Sequence, residues 1–391
     1  MKHTLKRIFC LLTAVLMLTL LLPAGQVMAV GEGGSGGESV PEALPCKSAI
    51  LMDAATGTVL FEQNADEALP PASVTKVMTL LLVMEAIEAG QISLDDMVTV
   101  SAHAASMGGS QVYLKEGEAM SVEEMLKCVV IASANDCAVA LAEFVAGSEG
   151  AFVEAMNRRA AELSMKNTHF ENTNGLDDTV TAHLTSARDI ALMSRELVRH
   201  KKILEYSSIW MDTIRNGSFG LTNTNRLVRF YRGCTVLKTG STARAGFCVS
   251  ATAERDGLSL ICVIMGAETR DIRNATATKL LDSGFATYSR FAAEGGTLSL
   301  SVTGGTCGEL ALSYDTFTAV VKKGAASRVE QRFELPERVE APVVAGQEIG
   351  RVVYLLDGKE VGSAPVVAGT SVEKISFSTL FSRILRCFFF K

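Results

Sequence analysis

Three short groups of residues could perform nucleophilic chemistry together: Ser73-Val74-Thr75-Lys76, Ser133-Ala134-Asn135 and Lys238-Thr239-Gly240. A serine hydroxyl is a poor nucleophile at neutral pH and needs a base beside it. On a helix, residues three apart share a face, so Lys76 can reach the Ser73 hydroxyl. Lysine acts as a base only when neutral. Bringing its pKa from about 10.4 to about 7 or 8 takes on the order of 4 kcal/mol of differential stabilisation. Desolvation, a second cation in Lys238 and the positive end of the Ser73 helix can combine to supply it. Ser133 can pass a proton between the two lysines and a leaving amine, and Asn135 can orient a substrate amide and Lys76. Gly240 lets a backbone approach closely. The backbone N–H groups of Ser73 and Ser241 would form an oxyanion hole. The chemistry this set can do is acyl transfer to Ser73.

Competing signals are weaker. A second S-x-x-K match, Ser371 with Lys374, has no partner motifs. The Gly/Ser stretch before Val40 formally matches G-x-S-x-G and G-x-G-x-x-G, but both patterns require a strand before and a helix after, and here there is only a tether. His103, His169, His183 and His200 have no nucleophile elbow to serve and read as solvated or core residues. Asp189, after Thr185 and Ser186, reads as an N-terminal helix carboxylate. The cysteines show no C-x-x-C pair or metal-ligand spacing. No metal or cofactor is expected.

The elements that must position these residues can be read from period and punctuation. Ser48 to Met52 and Thr58 to Glu62 read as an opening hairpin. Prolines 70 and 71 precede an apolar helix from Ser73 to about Ala89, which Gly90 stops. Val122 to Phe144 reads as helical with an interruption near Ser133, and further helices follow at Ala151 to about Leu163 and Arg188 to His200. Strands are expected at Thr235 to Lys238, Gly246 to Glu254 and Leu258 to Gly266, the last two joined by an Asp256-Gly257 turn. A helix from about Arg273 closes this region. The pattern predicts an α+β fold, an antiparallel sheet whose two sequence halves meet beside a helical lobe. From about Ala293 the texture is all-β, with strands at Leu298 to Val302, Thr316 to Val321 and Arg351 to Leu356, followed by an Asp357-Gly358 turn.

Both ends of the chain differ from its body. Residues 1–29 read as an export signal with a basic start and an apolar run, a retained anchor being the alternative. Residues 30–42 form a linker, 43–292 the larger domain, 293–370 the β domain and 371–391 a terminal helix. That last segment spaces Ile375, Phe377, Leu380, Phe381, Ile384, Leu385 and Phe388 along one helical face, with Lys374, Arg383 and Arg386 between them. Such a stripe suits the membrane interface and is too charged to span; a core helix of the β domain is the alternative. A net charge of -6 gives no footprint for nucleic acid. The body is expected outside the cytoplasm, held at the outer face of the cytoplasmic membrane.

Taken in order, the S-x-x-K, S-x-N and K-T-G set resembles the penicillin-binding protein and serine β-lactamase superfamily over about residues 46–290. The strings P-A-S-V-T-K-V-M-T, I-A-S-A-N-D and L-K-T-G-S-T, the following β domain and the amphipathic tail look like the low-molecular-weight D-alanyl-D-alanine carboxypeptidases. The resemblance implies removal of the terminal D-alanine from peptidoglycan stem pentapeptides through an acyl-enzyme on Ser73, with penicillins trapping the same serine. Lys76 would be the base, Ser133 a catalytic partner, and Asn135, Lys238, Thr239, Gly240 and Ser241 would line the cleft. By position, Arg273 is similar to the family arginine for the substrate carboxylate, with Arg270 as a nearby competitor. The loop Thr173-Asn174-Gly175-Leu176-Asp177 resembles a family loop with local differences. A β-lactamase is disfavoured because Glu171-Asn172-Thr173-Asn174 does not match E-x-x-L-N. A peptidoglycan endopeptidase and a catalytically idle wall-binding or sensor protein remain alternatives.

Overall fold

The computed structural model describes residues 43–235 and 237–389; the expected export signal and the linker lie outside the described residues. Its larger part is built on a five-stranded sheet of β1 (Ser48–Asp53), β2 (Val59–Gln63), β3 (Lys238–Thr242), β4 (Gly246–Arg255) and β5 (Leu258–Ala267), in the order β2-β1-β5-β4-β3. Every pairing is antiparallel. The early hairpin and the late strands therefore meet at β1 and β5, as the α+β reading requires.

Both faces of the central strands are covered, which explains the continuous apolar runs of β1 and β5. Along β5, Ile261, Val263 and Met265 join the core under the helical lobe, while Leu260, Cys262 and Ile264 point to the opposite core. This is the two-residue period of a strand buried on both sides. The lobe contains α1 (Lys76–Glu88), α2 (Val122–Lys127), α3 (Asn135–Ala146), α4 (Glu149–Glu162), α5 (Ala187–Leu197) and α6 (Lys201–Ser207). The other face is closed by α7 (Arg270–Thr287). Ser186 caps α5 by accepting the Asp189 N–H at 3.2 Å. Asp189 itself accepts from the Thr168 hydroxyl and the Asn167 N–H, tying α5 to the preceding loop. The β4–β5 turn has Asp256 and Gly257 at φ of 52° and 76°, the left-handed pair of a tight hairpin turn.

Three local details differ from the sequence reading. The strand expected at Thr235 to Lys238 instead begins at Lys238 and runs to Thr242. Its ladder sets Lys238 opposite Ser250, whereas Cys234 bridges Ala253, so the segment before Lys238 follows a different register. Helix α7 begins at Arg270 because the Thr269 side chain caps it, accepting the Ile272 N–H. The terminal helix, α8 (Phe377–Phe389), starts later than the expected residue 371. Val372 is buried and bridges Val343, so the chain remains in the β domain there.

That domain is richer in strands than its sequence texture suggested. Strands β6 (Tyr288–Ala293), β7 (Gly296–Thr303), β8 (Glu309–Tyr314), β9 (Phe317–Lys322), β10 (Val329–Glu334), β11 (Arg338–Glu340), β12 (Glu348–Leu356) and β13 (Lys359–Ala368) form two sheets. One has the order β10-β12-β13-β8-β7-β11, and β6 pairs with β9. Several of these strands are half-exposed, which weakens the apolar alternation that sequence reading depends on.

Candidate active site

Ser73 lies in a single 3-10 turn, Ala72–Thr75, that leads directly into α1. Ala72 adopts a left-handed φ of 48°, a conformation that persists only when its surroundings hold it. The turn is followed without interruption by Lys76, whose side chain is fully buried. Lys76 Nζ lies 3.0 Å from Ser73 Oγ, 2.6 Å from Asn135 Oδ1 and 2.8 Å from the Asn174 carbonyl oxygen.

These three contacts determine what a neutral Lys76 must do. An ammonium has three N–H donors and can satisfy all three oxygens. A neutral amine has two donors and one lone pair. The Asn174 carbonyl can only accept. Asn135 Oδ1 is likewise an acceptor, because Asn135 Nδ2 donates to the Gly108 carbonyl at 2.7 Å and so sets the orientation of the amide. Only the Ser73 hydroxyl can reverse its role, so deprotonation of Lys76 directs the lone pair at Ser73 Oγ. Burial, followed by the nearby Lys238 charge, pushes the Lys76 pKa well below the usual lysine value, against the opposing pull of Asp136. Buried Asp136 spends its carboxylate on the N–H groups of Val112 and Leu114.

The second group of residues owes its position to an irregular helix. After α2, a π-helical segment, Cys128–Ala132, ends with Ser133 in the left-handed region at φ 65° and ψ 29°. Such π segments often occur at functional sites. The chain restarts as α3 at Asn135. The break places Ser133 on the cleft wall and Asn135 against Lys76.

The third group lies on β3, the edge strand of the sheet. A Cβ at Gly240 would stand 2.8 Å from both the Pro71 oxygen and the Ser73 nitrogen. Glycine therefore allows this strand to lie directly against the Ser73 turn. Lys238 is buried, and burial with the nearby Arg273 charge lowers its pKa to about 7. Arg273 is also buried, with a pKa lowered to about 10, first by burial and then by Arg270. It remains a cation at neutral pH and donates to Asn274 Oδ1 at 2.9 Å and the Cys248 carbonyl at 3.4 Å.

A polar cleft of about 180 Å³ brings together Ser73, Ser133, Thr239, Gly240, Ser241, Arg270 and Arg273, with Ser110, Thr224 and Phe247 completing its wall. Lys76, Asn135 and Lys238 lie buried, Lys76 within reach of Ser73 and Asn135, and Lys238 flanking Thr239 on β3. The concentration of cations favours an anionic group in the ligand. A larger cavity, about 300 Å³, lies at the other end of the β4–β5 hairpin beside Arg255, Asp282 and Phe285, and contains none of the motif residues. Among the described residues no group of His, Cys, Asp or Glu side chains is arranged to hold a metal ion.

Sequence reasoning missed several contributors. The Asn174 carbonyl has no side-chain signature, because the contact is made by backbone. Thr224 reaches Thr239 at 2.9 Å, and the Thr242 hydroxyl donates to Asp177 at 2.6 Å, tying the loop after Asn172 to the end of β3. The Asn174-Gly175-Leu176-Asp177 string was the available signal for that loop. Gly175 is required there, since a Cβ would fall 1.9 Å from the Ala72 oxygen.

Known proteins are similar to this chain over both of its parts. Residues 37–269 match the family described as D-alanyl-D-alanine carboxypeptidase, and residues 301–374 match the penicillin-binding protein 5 C-terminal domain. The chain is 39% identical to D-alanyl-D-alanine carboxypeptidase DacF of Bacillus subtilis (strain 168), over 96% of both chains. Penicillin-binding protein 5 from Haemophilus influenzae is 32% identical with a TM-score of 0.78, over 85% of this chain and 99% of that one. Penicillin-binding protein D2 from Listeria monocytogenes, solved in its ampicillin-bound form, is 32% identical with a TM-score of 0.57, over 62% of this chain and 99% of that one.

Proposed function

Because the chain belongs to the D-alanyl-D-alanine carboxypeptidase family of low-molecular-weight penicillin-binding proteins, we propose that it removes the terminal D-alanine from peptidoglycan stem pentapeptides through an acyl-enzyme on Ser73. The activity class is that of a serine-type D-Ala-D-Ala carboxypeptidase. The observation that carries the mechanism is the 3.0 Å contact between Lys76 Nζ and Ser73 Oγ, in a pocket where neutral Lys76 can point its lone pair only at that hydroxyl.

Neutral Lys76 takes the Ser73 proton as Oγ attacks the carbonyl carbon of the penultimate D-alanine. The backbone N–H groups of Ser73 and Ser241 receive the developing oxyanion. As the C–N bond breaks, Ser133 relays a proton from Lys76 to the leaving amine, and D-alanine departs. Water then attacks the ester and returns Ser73 to its hydroxyl form. Lys238, Thr239 and Arg273 hold the substrate's terminal carboxylate, the anionic group that the cationic cleft favours. A penicillin presents its strained amide to the same serine. Its amine stays tethered after ring opening, so the acyl-enzyme persists.

The exposed apolar face of α8 supports attachment to the outer face of the cytoplasmic membrane after export. Phe377 is 83% and Phe381 51% exposed, while Arg383 on the same helix donates to the Thr306 carbonyl. Among the described residues no helix is long and apolar enough to cross a membrane. The arrangement suits a helix lying in the lipid interface. Flotation with anionic vesicles should recover the full chain and lose a chain ending before Phe377.

The acyl-enzyme is tested by mass spectrometry of wild type and Ser73→Ala after incubation with benzylpenicillin. The expected result is one adduct of intact penicilloyl mass on the Ser73 peptide, absent from the variant. A folded wild type that forms no adduct would overturn the mechanism.

A further inference from the structure

His183 is buried inside the lobe, in a T-shaped contact with the Phe170 ring. Its two ring nitrogens face different segments of chain. Nδ1 lies 3.0 Å from the Glu171 backbone nitrogen, and Nε2 lies 2.7 Å from Thr75 Oγ1. A backbone N–H can only donate, so Nδ1 must be the acceptor and Nε2 must carry the proton. Nε2–H then donates to Thr75 Oγ1, and the Thr75 hydroxyl donates to the Ala72 carbonyl at 2.9 Å. Every proton in this chain of three hydrogen bonds has one consistent direction.

The chain connects two parts of the active site. Thr75 and Ala72 belong to the turn that carries Ser73, and Ala72 is the residue held at φ 48°. The loop that begins at Glu171 supplies the Asn174 carbonyl to Lys76 and packs Gly175 against Ala72. Apart from these direct contacts, the loop and the turn are joined through the His183 ring. Burial lowers the His183 pKa to about 4, so the ring is neutral at neutral pH.

We propose that His183 is a positioning residue for the reaction, its Nε2–H tautomer locking the Ser73 turn to the Asn174 loop so that Ser73 Oγ and Lys76 Nζ keep their transfer geometry. The inference rests on the serine acyl-enzyme reading. His183 does not act as a base, since Nδ1 is taken by Glu171 N–H and Nε2 faces Thr75 rather than Ser73. Its effect falls on the chemical step, because its ring nitrogens bond to the Ser73 turn and the Glu171 backbone rather than to Lys238, Thr239 or Arg273.

Two substitutions divide the function of the ring. His183→Gln can keep a donor near the Nε2 position, whereas His183→Asn keeps an acceptor near the Nδ1 position and loses the donor to Thr75. Thr75→Val removes the same link from the other side. Penicillin acylation rates and peptide kcat and KM are measured in the full chain, alongside Tm. We expect His183→Asn and Thr75→Val each to slow acylation by roughly ten- to a hundredfold, the range in which a small misplacement of reacting atoms operates. KM should change little and His183→Gln should restore part of the rate. The double variant should be no slower than the worse single variant, because both break one connection. Wild-type acylation rates in folded His183→Asn, or additive losses in the double variant, would overturn the proposal. An unreactive wild type would instead refute the acyl-enzyme reading itself.

Discussion

Replacing Lys238 with methionine should make the protein more stable and a poorer enzyme. Lys238 is buried, and burial together with Arg273 lowers its pKa from 10.5 to about 7. At about 1.4 kcal/mol per pH unit, holding it charged at pH 6 costs on the order of 5 kcal/mol relative to a solvated lysine. The folded pKa of this base is depressed, so the cost is fully present below about pH 7 and disappears as pH rises towards the unfolded value of 10.5. Methionine has a similar shape without the charge. Taking about half of the cost as realised after local relaxation, Tm at pH 6 should rise on the order of 5 °C, with the gain shrinking by pH 9. Lys238 also depresses the Lys76 pKa. Its removal should therefore move the acidic limb of the acylation profile to higher pH and raise KM for peptides ending in a free carboxylate by roughly ten- to a hundredfold. Calorimetry at pH 6 and pH 9, with acylation rates across the same range, tests both parts. A variant that melts no higher than wild type at pH 6, or whose acylation profile does not move, would refute the buried-cation reasoning.

Gly240→Ala should place a methyl group 2.8 Å from the Ser73 nitrogen and 3.0 Å from Ala72 Cβ, atoms that cannot swing aside. The edge strand must retreat, and acylation should fall by roughly a hundred- to a thousandfold, as when an oxyanion donor is lost; a rate within threefold of wild type in stopped-flow acylation would count against the proposed oxyanion hole. Arg273→Gln should raise KM for free-carboxylate peptides while leaving turnover of the same peptide with an amidated C-terminus nearly unchanged. Equal effects on both substrates would assign the carboxylate to another group, with Arg270 on the same cleft wall as the first candidate.

Local rules account for much of what was legible in the chain. The three-residue spacing of Ser73 and Lys76 places them on one face because helical geometry is set within a single turn. Asp256-Gly257 and Asp357-Gly358 mark hairpin turns because paired left-handed φ values favour those residue types. The buried strand β5 reads plainly because its apolar run from Leu260 to Met265 is unbroken. Boundaries depending on one side-chain hydrogen bond were less legible, as at Thr269, and the half-exposed strands of the β domain carried little pattern.

The sequence by itself determined which residue types were available for acyl transfer, their order along the chain and the local elements presenting them. It could not determine how those elements meet. Lys76 is joined to Asn135 across 59 residues and to the Asn174 carbonyl across 98, while Thr75 meets His183 across 108. None of these pairings has a sequence period, and one partner is a backbone oxygen that any residue would possess. The same is true of the charges: Lys76 and Lys238 are ordinary lysines until the packed sheet and lobe exclude water from both. Tertiary structure alone created that desolvation and the fixed acceptors around Lys76, because both arise from distant segments converging in one buried volume.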